Sequence, residues 1–224
     1  ADFPQDITGF RYNDLFPLFV AQRVGQRFFA AVWEQANGKE QVLQVMTRLL
    51  DQARVTCMVG EYSARLALGD FGEFSTSMQK IARDPYTALS MQDGWYTPTN
   101  PLTLPRYTGR NMIPITVSAG ATEVAVNFAP DALGSKGTAE QMQIELVYRA
   151  SDGSAVFGAP LATGTAKVTL AKPAKNNVVI AVITNTTFSG YKTAQSYGWD
   201  PNETFGYKLQ ITGGTPAPTN KTYF

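Results

Sequence analysis

The 224-residue sequence contains no histidine and only one cysteine, and both shortages limit its chemistry. Without histidine, the chain alone can form neither a Ser-His-Asp set nor a Cys-His set, and an HExxH zinc motif is excluded. The single cysteine, Cys57, cannot form a disulfide within the chain, and its apolar helical repeat predicts a buried, unreactive thiol. We therefore expect no catalytic residue, no metal ligand and no cofactor in this chain.

Charge is also scarce, because charged residues make up 17% of the sequence and the net charge is +1. This balance gives no electrostatic reason to expect a nucleic acid or an anionic membrane as partner. No apolar run approaches the roughly 18 residues that a membrane span needs. Few cysteines and charges, with many Thr, Ser, Asn and Gly in the C-terminal half, favour a secreted bacterial protein, although a cytosolic one stays open.

The stretch 84–114, which holds five prolines, separates two periods of apolar residues. Before it they recur at helical spacing, and after it they alternate at strand spacing. The pattern predicts an α+β protein with an N-terminal helical bundle-like part followed by an antiparallel β-sandwich of about seven strands. The predicted divisions are residues 1–84 for the helical part, 85–113 for a junction, 114–213 for the sandwich and 214–224 for a tail.

Four helices are predicted: from a cap at Asn13 or Asp14 to Val24, then over 26–36, over 39–50, and a last one that ends near Gly69. The last helix carries a stripe with i, i+3, i+4, i+7 spacing, typical of a bundle core: Val55, Met58, Val59, Tyr62 and Leu66. The first helix is apolar around most of its girth. We expect the sandwich, or polypeptide outside this chain, to cover it.

The sandwich strands are predicted from alternating apolar residues at 111–117, 122–128, 141–149, 155–157, 164–170, 178–184 and 205–212. The segment 178–184, VVIAVIT, is almost continuously apolar, which indicates a central strand. The segments 122–128, 141–149 and 205–212 alternate apolar with polar residues.

Candidate ligand-binding residues lie in two aromatic segments. The long loop 186–204 contributes Tyr191, Tyr197, Trp199 and Asp200, because long loops with aromatic side chains often bind sugars or proteins. The same rings could instead fold back as a plug over the sandwich. Trp95 and Tyr96 form the second segment, with packing at the junction as the alternative. The acidic residues Glu61, Asp70 and Glu73 have no spacing that predicts an acid–base pair.

The order of motifs resembles a known family. FRYNDLFPLFVAQRVGQRFFAAVWEQ is similar to the helices that follow the zinc helices in certain peptidases, and VGEYSARLALGDF is similar to the segment before their sandwich. The runs GWYTP, YTGRNMIPI, TEVAVNF, QIELVYRASDGSAVFGAP, VVIAVITNTT and YGWDPNETFGYKLQITG resemble that sandwich. Over about residues 10–213, the chain resembles a secreted bacterial family known as a domain of unknown function. It includes gluzincin-metallopeptidase-like virulence proteins of the Svx/AvrXca kind.

This resemblance implies that the family's zinc motif would lie before Phe10, so no catalytic residue is carried over to this chain. It implies the C-terminal half of a secreted metallopeptidase-like protein, whose helices complete a catalytic domain and whose sandwich engages substrate. Zinc and an N-terminal segment of the same precursor are then implied partners, if an upstream HExxH segment exists. The alternatives are a stand-alone module that binds carbohydrate or protein, and a structural assembly protein.

Overall fold

A computed structural model describes residues 15–38, 40, 42–79, 86–105, 108–131, 142–186 and 205–223. In these ranges the helices precede the strands along the chain. The helices are α1 (Leu15–Val24), α2 (Gln26–Glu34), α3 (Val42–Leu49) and α4 (Gln52–Leu68), followed by short helical turns at Gly72–Phe74 and Ser75–Met78. The strands are β1 (Leu89–Gln92), β2 (Trp95–Pro98), β3 (Arg110–Val117), β4 (Glu123–Asp131), β5 (Met142–Arg149), β6 (Ala155–Phe157), β7 (Gly164–Thr169), β8 (Val178–Asn185), β9 (Gly206–Thr212) and β10 (Gly214–Pro216).

The strands form two five-stranded sheets that pack face to face. The outer sheet has the order β1-β2-β9-β4-β7, and the inner sheet has the order β10-β3-β8-β5-β6. Neighbouring strands pair antiparallel in both sheets. The core between the sheets includes Ile115, Val126, Leu146, Ala181 and Leu209. The predicted fold class, α+β with an antiparallel β-sandwich after a helical part, is confirmed.

The inner sheet is covered on both faces, because α4 packs on the face that points away from the sandwich core. Ala64 and Leu68 of α4 form one buried cluster with Val147 of β5 and with residues of β8. The helical layer therefore rests on the sandwich through α4.

Strand β8 shows the consequence of this double cover. Alternate residues enter different cores, with Val179, Ala181 and Ile183 in the sandwich core and Val178, Ile180 and Val182 in the cluster beneath α4. A strand buried on both faces needs apolar side chains at every position, which explains its almost continuous apolar sequence.

Helix α4 begins and ends at well-defined caps. The Asp51 side chain accepts a hydrogen bond from the backbone N–H of Arg54 at 2.7 Å, which satisfies one free donor of the first turn. At the other end Gly69 adopts a left-handed conformation with φ 60°, and the N–H of Asp70 donates to the carbonyl of Arg65 at 3.0 Å. This closure fixes which residues of the last turn of α4 lie over the inner sheet.

The remaining helices share a second core with α4. Phe16 and Phe19 of α1 lie against Tyr62 of α4, with ring centroids 5.1 and 5.5 Å apart. The apolar character of α1 is thus explained in part by cover from another helix of the same chain. Cys57, by contrast, is exposed on α4, so the prediction of a buried thiol is wrong. Its helical position faces away from the stripe that packs on α1.

All seven predicted strands are present, and the described residues contain three more. β1 and β2 form a hairpin within the segment 85–113 and extend the outer sheet beside β9, while β10 lies within the segment 214–224 and pairs with β3. Each has only three or four residues, and Pro98 and Pro216 stand at strand ends, so alternation is too short to reveal them. The proposed division into separate domains stays a prediction.

Candidate functional site

The candidate ligand residues of the long loop, Tyr191, Tyr197, Trp199 and Asp200, lie outside the described residues, and their role stays a prediction. Trp95 and Tyr96 both lie on β2. Because consecutive strand residues point to opposite faces, the two rings are separated by the sheet. Tyr96 packs against the sandwich core, whereas Trp95 lies on the solvent face of the outer sheet.

Trp95 lies among polar side chains on that solvent face. The Lys208 ammonium is 4.8 Å from the centroid of the Trp95 ring, which is a cation–π contact across two strands. Further along the face, the Asn127 amide donates to Gln210 Oε1 at 3.1 Å. The pairing of Tyr96 with Leu209 places Trp95 opposite Gln210 in the same register. The face therefore combines one aromatic ring with amide and ammonium groups on a five-stranded support.

A second group of side chains lies between α4 and β5, on the helix-facing side of the inner sheet. We call it the charge cluster. It consists of three carboxyl groups and three guanidinium groups, from Glu61, Asp70, Glu145, Arg23, Arg65 and Arg149. Two of these residues are almost fully buried: Glu145 is 6% exposed and Arg149 is 5% exposed.

Glu61 is the most heavily paired carboxylate of the cluster. Arg23 of α1 donates from Nε to Glu61 Oε2 at 2.8 Å and contacts the carboxylate with Nη2 as well. Arg65, one turn further along α4, donates from Nε to Glu61 Oε1 at 3.0 Å. Arg65 also donates to Asp70 Oδ2 at 3.3 Å and lies 5.5 Å from the centroid of the Phe157 ring. These contacts join α1, α4 and the inner sheet.

Arg149 binds the C-terminal end of α4. Its Nη2 donates to the carbonyl of Leu68 and its Nη1 donates to the carbonyl of Gly153, both at 2.7 Å. A cation at this position is favourable because the last carbonyls of a helix carry partial negative charge. Burial lowers the pKa of Arg149, and Asp70, with Oδ1 4.0 Å from Nη2, opposes that shift. Arg149 thus ties the last turn of α4 to β5.

Among the described residues, no arginine forms an ion pair with Glu145. The arginines of the cluster donate to Glu61, to Asp70 or to backbone carbonyls, and Nε of Arg149 is buried without an acceptor. Burial and, to a smaller extent, the negative charge of Glu61 raise the pKa of Glu145 to about 7, while the positive charge of Arg65 opposes the shift. Near neutral pH the Glu145 carboxyl therefore exchanges a proton.

The charge cluster does not fit the zinc ion that the resemblance implies for a longer protein. Structural and catalytic zinc sites use thiolate, imidazole or carboxylate ligands free of competing cations. Here Glu61 and Asp70 are held by arginines, and the interleaved positive charges oppose a divalent cation. Among the described residues, no group of three or more His, Cys, Asp or Glu side chains is arranged to hold a metal ion.

Glu145 and Arg149 cannot be recognised as buried from their own strand, because both alternate with apolar residues along β5 and so resemble solvent-facing positions. One signal could have identified them. The neighbouring strand β8 is apolar at every position, which indicates a sheet covered on both faces. In such a sheet, the charged residues of an adjacent strand must also lie under the cover.

The fold and the charge cluster define an α+β protein in which a helical layer packs on one sheet of an antiparallel β-sandwich. Residues 8–218 match a family described as a family of unknown function, DUF6055, and the chain belongs to this family. No curated protein and no solved structure matches the chain. In the described ranges, every helix is too short or too polar to cross a membrane.

Proposed function

We propose that this chain is the C-terminal half of a secreted metallopeptidase-like protein of the Svx/AvrXca kind. In this role the chain recognises a substrate or partner and supports a catalytic domain, but does not itself cleave peptide bonds. Its helices would complete a catalytic domain, and its sandwich would engage the substrate or a partner protein. The sequence has no histidine, so the imidazole ligands of such peptidases would have to come from elsewhere. The observation that carries the proposal is the charge cluster, in which Glu61 and Asp70 bind arginines instead of standing free for acid–base work or metal binding.

The helical layer offers a surface suited to further protein. Trp33 on α2 is 61% exposed, and its ring lies 6.4 Å from that of Phe29 in an edge-on arrangement. Large exposed aromatic rings are common at protein interfaces because they bury much apolar area when a partner packs on them. This surface supports a role for α2 in completing a larger domain.

The sandwich offers a different surface, which is the solvent face of the outer sheet around Trp95. An aromatic ring beside amide side chains suits a sugar ring or an extended peptide, since both combine apolar faces with hydrogen-bonding groups. Helix α4 contributes side chains both to the helical core and to the apolar cluster on the inner sheet. A ligand bound to the sandwich would therefore be held at a fixed position relative to the helices.

Metal content and proteolysis test the non-catalytic role. The 224-residue chain and the protein's full natural product are purified, and zinc per molecule and hydrolysis of unfolded peptide substrates are measured for both. We expect the 224-residue chain to bind no stoichiometric zinc and to cleave nothing. Zinc at one per molecule in this chain alone, with hydrolysis that a chelator abolishes, would overturn the proposal.

Ligand binding tests the recognition role. The chain is screened against oligosaccharides and unfolded peptides, with Trp95→Ala as the variant and Met91→Ala as the matched control. Met91 is also exposed and lies on the same hairpin, paired with Tyr96, but belongs to the other face. We expect Trp95→Ala to weaken binding at least tenfold, at about 1.4 kcal/mol per factor of ten, and Met91→Ala to leave it unchanged. If both variants bound the ligand with equal affinity, Trp95 would not be part of the binding site.

A stand-alone binding or adhesion module is the second candidate, favoured by the same Trp95 face. The two candidates differ in what the helices do. A neighbouring domain that packs on α2 would protect Trp33 from solvent in the full natural product, and quenching of tryptophan fluorescence would detect this. A Trp33→Phe variant shows which part of the fluorescence comes from Trp33. An assembly protein would instead elute above the mass of one chain in size-exclusion chromatography.

A further inference from the structure

Each sheet of the sandwich has two edge strands, and in three of the four a feature limits pairing with further chains. The edges are β1 and β7 in the outer sheet and β10 and β6 in the inner sheet. On β7 the Thr169 carbonyl accepts a hydrogen bond from the Tyr148 hydroxyl at 3.3 Å. Strand β10 ends at Pro216, which has no N–H to donate, and β6 has only three residues, with the Arg65 guanidinium over its Phe157 ring. Such features keep edge strands from pairing with other chains.

Strand β1 is the edge that carries no such protection among the strands that the structure describes. Its sequence, LSMQ, has neither charge nor proline. Ser90, Met91 and Gln92 are all exposed, and Met91 is 61% exposed. An uncharged edge with an exposed apolar side chain favours pairing with an added strand.

The turn that follows β1 fixes which of its backbone groups point towards β2. It consists of two residues, Asp93 and Gly94, whose positive φ angles of 52° and 78° are typical of a type I′ hairpin turn. Gln92 and Trp95 flank the turn and are paired. In a hairpin of this kind the flanking pair exchanges both of its backbone hydrogen bonds, so the N–H and C=O groups of Gln92 point towards β2.

The direction of the backbone groups alternates along β1, so the residues next to each such pair point the other way. The N–H of Thr99 donates to the carbonyl of Ala88 at 3.0 Å, which places Ala88 among the residues that face β2. The N–H and C=O groups of Leu89 and Met91 therefore point away from β2. Because β1 is the edge of its sheet, no described strand pairs with it on that side.

We propose that β1 binds an extended peptide as an additional antiparallel strand of the outer sheet. The outward N–H and C=O groups of Leu89 and Met91 would pair with the peptide backbone, and such bonds supply the affinity of strand addition. Met91 is paired with Tyr96, which packs against the sandwich core, so both lie on the core side of the sheet. The peptide residue opposite Met91 would share that side and is expected to be apolar, with polar residues before and after it.

A second copy of the chain fits this edge less well than a peptide. A strand of four residues spans only about 13 Å, whereas a stable interface buries roughly 800 Å² on each partner. Two folded bodies joined by two such strands would need further contacts on both sides of the new pair. A flexible peptide instead adapts to the twist of the edge. The site differs from the Trp95 face and does not depend on the metallopeptidase-like role.

Backbone methylation of the ligand tests the pairing without altering the protein. The probe is a fluorescein-labelled peptide of alternating Val and Thr with Lys at both ends, and its binding to the full 224-residue chain is measured by fluorescence anisotropy. In one form every Val nitrogen is methylated, and in the matched control every Thr nitrogen is methylated. The Val opposite Met91 donates to β1, so we expect methylation of Val to weaken binding about tenfold or more and methylation of Thr to leave it unchanged. Equal affinities of the two forms, or no binding of the unmethylated peptide, would overturn the proposal.

Variants of the chain locate the bound peptide. Met91→Pro removes the outward N–H, which the pairing with β2 does not use, so we expect binding to weaken about tenfold. Met91→Ala keeps this donor and should retain most of the affinity. Loss of binding in Trp95→Ala alone would place the peptide on the Trp95 face. That result would overturn the edge site and leave the proposed recognition by the Trp95 face intact.

Hydrogen exchange of the Met91 amide identifies the occupant of the edge. We expect this exchange to slow when the peptide is added, because the amide then donates to the new strand. Unchanged exchange at saturating peptide would overturn the proposal. Slowing with rising concentration of the chain, without peptide, would show that a second copy occupies the edge and would also overturn it. The methylated peptides decide the matter even if Met91→Pro does not fold.

Discussion

The two sheets of the sandwich treat the same kind of residue in opposite ways. Glu123 of the outer sheet is 41% exposed at its side chain and pairs with Lys167 across 3.2 Å. Glu145 of the inner sheet occupies an equivalent alternating position but lies beneath α4, where burial raises its pKa to about 7. The difference is the cover on the inner sheet. The period of a strand shows which residues share a face of the sheet. Whether that face is exposed to solvent depends on whether the helical layer covers it.

The largest effect is expected where α4 packs on the inner sheet. Leu68→Ala removes a side chain that is fully buried between α4 and the inner sheet. The lost burial and the remaining cavity should lower the free energy of unfolding by about 3 to 4 kcal/mol, measured by urea denaturation. The exposed residue Met91 provides the control, since Met91→Ala should change this free energy by less than about 0.5 kcal/mol. Similar losses in both variants would contradict a tightly packed cover.

Arg149→Met tests the hydrogen bonds that tie the end of α4 to the inner sheet. This change keeps the volume but removes the donors to the carbonyls of Leu68 and Gly153, which are then left unpaired. We expect a loss of about 2 to 3 kcal/mol in the free energy of unfolding. Protection of the last turn of α4 against hydrogen exchange should fall as well. A loss below about 0.5 kcal/mol would mean that water replaces the guanidinium without cost.

The carboxylates of Glu145 and Glu123 should differ in their effect on the pH dependence of stability. Because the pKa of Glu145 is raised from 4.5 to about 7, the folded chain keeps a proton that the unfolded chain releases between these pH values. Its contribution to stability is complete below pH 4.5, declines as the pH rises and is lost above about pH 7. Glu145→Gln should therefore raise the free energy of unfolding by about 3 kcal/mol at pH 8 and hardly change it at pH 4.5.

Urea denaturation at both pH values, with Glu123→Gln as control, measures this effect. The control should show no such pH dependence, because the Glu123 side chain is exposed in the outer sheet. Destabilisation by Glu145→Gln at pH 8 would show that the ionised carboxylate is well stabilised by the arginines, contrary to the geometry.

The smallest effect is expected on the solvent face of the outer sheet. Lys167→Gln breaks the exposed ion pair with Glu123, and such pairs contribute little because water screens both charges. The free energy of unfolding should change by less than about 0.5 kcal/mol in urea denaturation, and added salt should reduce even that difference. A larger loss would indicate that this face is covered, and would remove the contrast between the sheets.

Much of the fold follows from local patterns. Apolar spacing predicts the helices around Tyr62 and the seven longer strands because helix and strand periods depend on neighbouring residues alone. The short strands β1, β2 and β10 escape this reasoning, since they form only where a longer neighbour pairs with them. The candidate site follows less well: the separation of Trp95 from Tyr96 follows from period two, but the burial of Glu145 does not.

The sequence by itself determined that the chain lacks imidazole chemistry, where its helices give way to strands, and which side chains share a face. Only the tertiary structure decided that α4 covers the inner sheet, that Arg149 binds the end of α4, and that Glu145 is buried beside Glu61. The physical reason is that backbone period is a local property. Burial depends on residues about 80 positions apart, such as Leu68 and Arg149, that meet only after the layers have packed.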